Sequence, residues 1–196
     1  MELFKKSVII LEASIACGKS TLGRSMELSL SAMGYKALYL PEFFDKDLLD
    51  HYLDNKKTQA YAIQIIMIRE RIKLFEEAHR RIVSDGYDFV IIDRGLIGDL
   101  CFAKMQYDDE FINLKEYNIY RNISKKTFLP YKTEINHFLI YMKCEPKICM
   151  ERIKIRGIQS EVDNYKIEDI EKLNKYHDLL IGYMADDVNN LSLIHI

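Results

Sequence analysis

Short apolar runs alternate with longer amphipathic stretches along the chain. Val8-Ile9-Ile10-Leu11 is apolar at every position and leads into a loop containing Gly18. That is the pattern of a parallel strand buried on both faces. Three further runs share it: Ala37–Leu40, stopped by Pro41; Phe89–Ile92, ending at Asp93; and Phe138–Met142. Helical patterns lie between and after them. Lys19–Met33 runs up to Gly34, a residue suited to a helix end. Thr58–Ser84 places Ile65, Ile68, Ile72 and Phe75 at helical spacing, and two more helices are expected over Pro146–Ile155 and Ile167–Met184. This alternation predicts an α/β fold with a central parallel sheet and helices on both faces. Ligands of such sheets bind at the carboxyl ends of the strands. Glu12, Glu42 and Asp93 each stand just past the apolar end of a strand, so three carboxylates should share one rim.

Composition narrows the class. The 196 residues are 48% hydrophobic, enough for one domain with a core. Three prolines, eight glycines and the absence of repeats leave no room for a flexible linker. Charged residues make up 30% of the chain, yet the net charge is only −2. No basic excess points to nucleic acid or an anionic membrane, so an anionic substrate would have to be held by local cations. No stretch approaches the ~20 apolar residues of a membrane span. The N-terminal apolar run is broken by Glu12 and does not make a signal peptide. Cys17, Cys101, Cys144 and Cys149 form no CxxC pair and have no histidine cluster near them, as expected for reduced thiols of a cytoplasmic protein. The last six residues, Leu191–Ile196, match what one reading frame of a widely used transposon-end sequencing adapter encodes. On that reading the domain covers 1–190, is truncated at its C-terminus, and ends in residues that are not biological. The alternative is a genuine final strand, since the segment is β-prone.

The chemistry concentrates after the first strand. Ala13-Ser14-Ile15-Ala16-Cys17-Gly18-Lys19-Ser20-Thr21 matches the phosphate-binding pattern GxxxxGK[ST], with Ala13 in place of the first glycine. Loop N–H groups and a helix N-terminus would face the phosphates. Lys19 would reach the β- and γ-phosphates, and the Ser20 hydroxyl would ligate Mg²⁺. Pro41-Glu42 follows the second strand and Asp93-Arg94 the third. Arg152 and Arg156 are spaced i, i+4 and share one helix face.

Together these residues resemble the deoxynucleoside kinase family, which includes deoxycytidine, deoxyguanosine and deoxyadenosine kinases. The likeness runs from about Ser7 to Asp178. The family loop Glu-Gly-Asn-Ile-x-x-Gly-Lys-Ser/Thr stands here as Glu12 to Ser20. Its Pro-Glu-Pro stands as Pro41-Glu42-Phe43, and its Phe-Gln as Ile63-Gln64, with Arg71 seven residues on. Its Glu/Asp-Arg-Ser stands as Asp93-Arg94-Gly95, and its lid pattern Arg-Ile-x-x-Arg-Gly as Arg152 to Gly157. Asp99 to Lys104 stand where some members carry Asp-x-x-Phe-Ala-Lys, and the Asp93 form, with Phe102-Ala103-Lys104-Met105, resembles the bacterial-type branch.

The resemblance implies the P-loop kinase fold with an arginine-containing lid. It also implies transfer of the ATP γ-phosphate to the 5′-hydroxyl of a deoxynucleoside. Glu42 would be the base, Arg94 its partner and a stabiliser of the transferred phosphoryl group, and Lys19 a phosphate ligand. Ser14, Ile15, Ala16, Cys17, Gly18, Lys19, Ser20 and Thr21 would cradle ATP, and Arg152 and Arg156 would close over it. Ser20 and Asp93 would position Mg²⁺. Gln64 would read the base edge, and Arg71 paired with Asp99 would favour purines or cytosine over thymine. Tyr52 and Glu161 would meet the sugar 3′-hydroxyl. Family members commonly pair through helices, which allows a homodimer.

The departures are Phe43 for proline, Gly95 for serine and Ile158 for a further lid arginine. Two other readings follow from the same residues. A thymidylate-type monophosphate kinase shares the loop and the Asp-Arg pair, but it needs cations after the second strand, where Pro41–Asp50 offers only Lys46. A degenerate nucleotide-binding subunit would fit Ala13, Gly95 and Ile158, but not the joint presence of Lys19, Glu42, Asp93 and Arg94.

Overall fold

A computed structural model describes residues 6–128, 135–187 and 192–195. Five parallel strands form one sheet in the order β2-β3-β1-β4-β5, with β1 Ser7–Ala13, β2 Ala37–Leu40, β3 Phe89–Asp93, β4 Asn136–Met142 and β5 Ser192–His195. Helices α1 (Lys19–Ala32), α3 (Lys56–Val83), α6 (Pro146–Arg156) and α8 (Ile167–Asp187) lie within a few residues of the spans the hydrophobic pattern predicts. Four helices are additional: α2 (Lys46–Asp54), α4 (Leu96–Asp108), α5 (Leu114–Phe128) and α7 (Gln159–Asn164). Leu191 and Ile196, the ends of the adapter-like hexapeptide, lie outside the described residues.

The uninterrupted apolar strands are buried on both faces, and the side-chain alternation of a strand divides the core accordingly. Val8, Ile10, Val90 and Ile92 face one layer, with Phe75 of α3, Cys101 of α4 and Leu173 of α8. Ile9, Leu11, Tyr39 and Ile91 face the other, with Leu22 and Met26 of α1. The close approach of α1 requires Gly23, because a Cβ there would lie 2.3 Å from the Tyr39 ring. A third cluster joins Tyr52 and Leu53 of α2 to Ala60 and Ile63 of α3. Among the described residues, no helix is long and apolar enough to cross a membrane.

The register aligns Leu11 of β1 with Asp93 of β3, so the phosphate loop and the Asp93-Arg94 pair leave the sheet at one level. Pro146 opens α6, where its missing N–H costs nothing, and Gly157 closes it with φ 70°. That short helix carries Arg152 and Arg156 over the same rim.

Candidate active site

The loop after β1 turns through two left-handed residues, Ala16 (φ 57°) and Gly18 (φ 97°), before α1 begins at Lys19. Ala13, which stands where the phosphate-loop pattern has glycine, is the last residue of β1 and needs no positive φ. The backbone strain falls on Ala16 instead. The Lys19 ammonium donates to the Ser14 carbonyl at 3.2 Å. Burial and the neighbouring Arg94 charge lower its pKa, while Glu42 and Asp93 pull it back up.

A cavity of about 790 Å³ opens over this rim. Its wall includes Ile15 to Thr21 from the loop, Glu42, Tyr52, Gln64, Asp93, Arg94 and Asp99, and Arg152, Arg156 and Glu161 from the lid side. Two residues read as site residues are not in that wall. Ser14 is wholly buried, and its hydroxyl has no hydrogen-bond partner among the described residues, so its part is the carbonyl that holds Lys19. Arg71 lies behind the wall.

Arg71 is nonetheless the hub. Its Nε and Nη2 grip both oxygens of Asp99 at 3.0 Å. Nη2 also donates to Glu42 Oε1 at 2.8 Å, and Nη1 donates to the carbonyls of Asp93 (3.1 Å) and Arg94 (3.2 Å). A guanidinium has five N–H donors, and these five contacts occupy them. Arg94 reaches the same Glu42 oxygen through Nε at 3.0 Å and the Ala13 carbonyl through Nη1 at 3.2 Å, and its guanidinium sits 5.1 Å over the Phe102 ring. The turn that aims it is strained: Arg94 has φ 69°, a conformation non-glycine residues seldom hold outside functional sites. Burial works against the Glu42 charge, but Arg94, Arg71 and Lys19 outweigh it and hold the carboxyl down at about 2.

Asp93 Oδ2 accepts hydrogen bonds from Ser20 at 2.6 Å and from Tyr39 at 2.7 Å. Its Oδ1 is buried with no hydrogen-bond partner among the described residues. Tyr52 Oη accepts from Gln106 at 2.8 Å, and burial pushes the phenol up to about 12. On the lid side, Arg152 Nη1 donates to the Ala16 carbonyl at 3.3 Å, while Arg156 pairs with Glu161 at 2.6 Å. So the structure brings together the loop, Glu42, Arg94, Asp93, Asp99 and both lid arginines, and sets Tyr52 and Glu161 on the same cavity.

Sequence reasoning gave no part to Tyr39 or Gln106, put Phe102 in a family motif without a task, and set Glu12 on the rim with Glu42 and Asp93, whereas the structure buries it within β1. Gln106 lies two turns beyond Asp99 on one helix face, a spacing that would have pointed to it once α4 was known. Glu12 has no exposure; its Oε1 accepts from the Gly95 N–H at 2.9 Å. Burial raises its pKa to about 7, against the pull of Arg94 and the Gly98 N–H. The glycine at 95 has a steric cause: a Cβ there would lie 2.7 Å from Ile10 and 2.9 Å from Glu12 Oε1.

Comparison with known proteins agrees with this geometry. A family model described as deoxynucleoside kinase matches residues 9–194. The chain is similar to a deoxyadenosine kinase of Dictyostelium discoideum, 29% identical over 88% of this chain and 66% of that protein, just under two thirds of its length. A deoxyadenosine/deoxycytidine kinase of Bacillus subtilis is 25% identical over 96% of this chain and 83% of its own. Among solved structures, deoxyadenosine kinase from M. mycoides with bound dATP shares the fold, with a TM-score of 0.73 and 23% identity over 96% of this chain and 90% of that one. With the phosphate loop, the Asp-Arg turn and the arginine lid placed on one rim, and a family match over nearly its whole length, the chain belongs to the deoxynucleoside kinase family, kinases of the P-loop α/β fold.

Proposed function

We propose that the chain transfers the γ-phosphate of ATP to the 5′-hydroxyl of a deoxynucleoside, with deoxyadenosine, deoxycytidine or deoxyguanosine favoured over thymidine. The observation that carries this reading is the ion-pair chain Arg94–Glu42–Arg71–Asp99 along one cavity that also holds Lys19 and Ser20. Glu42 is the group positioned to accept a hydroxyl proton. A carboxylate held near 2 is a weak base toward a free alcohol. In a loose phosphoryl-transfer transition state, however, the proton needs to leave only as the oxygen bonds to phosphorus. Before then Glu42 orients the hydroxyl, and Arg94 balances the charge that builds up.

Asp99 supports the base preference. Its two oxygens are fixed by Arg71, and each keeps a lone pair free to accept from an exocyclic amino group. Adenine, guanine and cytosine carry one; thymine offers carbonyls, which a carboxylate repels. Gln64 on the neighbouring helix can donate and accept at the same edge. Tyr52 and Glu161 are read as sugar contacts.

The residues also fit magnesium. Ser20 and Asp93 would hold it, since the orphaned Asp93 Oδ1 is a hard oxygen beside the phosphate loop. When bound there, the ion would supply positive charge against the phosphates of ATP. The protein part of that task falls to Lys19 and the lid arginines. A monophosphate kinase is disfavoured because the cavity residues from α2, α3 and α4 include no lysine or arginine for an acceptor phosphate.

For the activity, the test is ADP release with ATP–Mg²⁺ and each of the four deoxynucleosides and their monophosphates. Turnover of the amino-bearing nucleosides supports the reading. Turnover of thymidine alone removes the Asp99 argument, and turnover of monophosphates alone removes the acceptor assignment.

A further inference from the structure

The phosphate loop carries a thiol for which the reaction has no use. Cys17 Sγ lies 3.6 Å from Cys149 Sγ, across 132 residues of sequence. Cys17 lines the cavity, whereas Cys149 is wholly buried behind it. The two sulfurs belong to different elements, the loop ahead of α1 and the helix α6 that carries the lid arginines. Those elements also touch beside the thiols, since Arg152, one turn on from Cys149, donates to the Ala16 carbonyl at 3.3 Å. Cys101, the other fully buried thiol, sits in the core between helices and has no such neighbour on the cavity.

We propose that Cys17 and Cys149 form a thiol-modification site, a dithiol that peroxides convert to a disulfide tying the phosphate loop to the lid helix. Cys17 is the attacking thiol. It is reachable from the cavity and stands beside the N-terminus of α1 and Lys19, surroundings that favour a thiolate. Its hydrogen bond with Cys149 draws it down to about 7 against the effect of burial, and the same contact pushes Cys149 up.

The chemistry balances with peroxide as the only oxidant. The Cys17 thiolate attacks one peroxide oxygen, the O–O bond breaks, and a sulfenic acid forms as the first water leaves. The Cys149 thiol then attacks that sulfur, the S–O bond breaks, and a second water leaves with the S–S bond formed. Two thiols lose two electrons and the peroxide gains them.

A disulfide bond is about 2.05 Å long, so the sulfurs must close most of their 3.6 Å gap. Loop and helix would be pulled together at the point where loop N–H groups must face phosphates, and the lid could no longer swing. Oxidation should therefore cost ATP binding, and reduction should restore it.

The test treats the full chain with hydrogen peroxide and follows intact mass, the non-reducing peptide map and the affinity for a fluorescent ATP analogue. The expected result is a loss of about 2 Da, a Cys17–Cys149 linked peptide, and ATP binding weakened roughly tenfold or more, all reversed by dithiothreitol. Reduced Cys149→Ser should bind ATP as the wild type does and, under peroxide, gain oxygen in place of losing hydrogen. Linkage of Cys17 to Cys144, no linkage at all, or unchanged ATP affinity in the cross-linked protein would each overturn the proposal.

Discussion

Glu42 Oε1 is shared by Arg71 and Arg94, at 2.8 and 3.0 Å, so Glu42→Gln removes a proton acceptor while keeping a carbonyl oxygen for both guanidiniums. Turnover should fall by ~10²-fold or more, the usual scale for losing a general base, while nucleoside affinity measured by calorimetry stays near that of the wild type. Near-normal turnover would contradict the base assignment. Glu12 makes a separate prediction in pH. Its carboxyl, at about 7 in the fold, lies above the 4.5 of a free glutamate. Between those values the folded chain keeps a proton that the unfolded chain has released, so this group's contribution to stability declines as pH rises through that window. Glu42, near 2, works the other way: its contribution is present above 4.5 and is lost as pH falls toward 2. The Tm difference between Glu12→Gln and wild type should therefore move in favour of the variant from about pH 5 to about pH 8. A flat difference would show that Glu12 does not titrate there.

At the scale of elements, α1 is held to β2 through a missing side chain. Gly23→Ala gains up to ~1 kcal/mol of helix propensity, but the new Cβ would meet the Tyr39 ring at 2.3 Å. That ring is pinned by its hydroxyl on Asp93 at 2.7 Å. Overpacking of this kind costs roughly 1–3 kcal/mol, so urea unfolding should show a net loss of stability. The lid helix is the reverse case, since Arg152 is exposed and its hydrogen bonds among the described residues are long ones, from Nη1 to Ala16 O at 3.3 Å and to Cys144 Sγ at 3.7 Å. Arg152→Ala should leave folding unchanged and raise the KM for ATP by roughly ten- to a hundredfold, the worth of a charged hydrogen bond, with nucleoside KM little affected. The four strands named from sequence were legible because a strand covered on both faces is apolar throughout. The helix α4 was not legible, for a related reason. It is buried on several sides, from Leu96 and Gly98 to Asp99, Cys101 and Gln106, so no polar face marks its period. Asp93 and Arg94 could be read at a strand end. Tyr39 could not, because only the sheet order sets β2 beside β3 and brings its hydroxyl to Asp93.

Across the whole molecule, four elements converge on one guanidinium: Arg71 projects from α3, Asp99 from α4, Glu42 follows β2, and the carbonyls of Asp93 and Arg94 close β3. On the proposed reading, the proton-accepting carboxylate and the base-reading carboxylate are thus set against one common reference, so nucleoside position and proton acceptor should not drift independently. This sharing also shapes which descendants the protein can have. Removing one partner of a buried ion pair costs roughly 3–5 kcal/mol, so neither Arg71→Met nor Asp99→Ala is a tolerable single step. A double-mutant cycle on unfolding free energy should find the pair far less damaging than the sum of the two changes. On the proposed base preference, a lineage turning toward thymine would then have to cross a fitness valley two substitutions wide, and that preference would persist by entrenchment even where selection for it had lapsed.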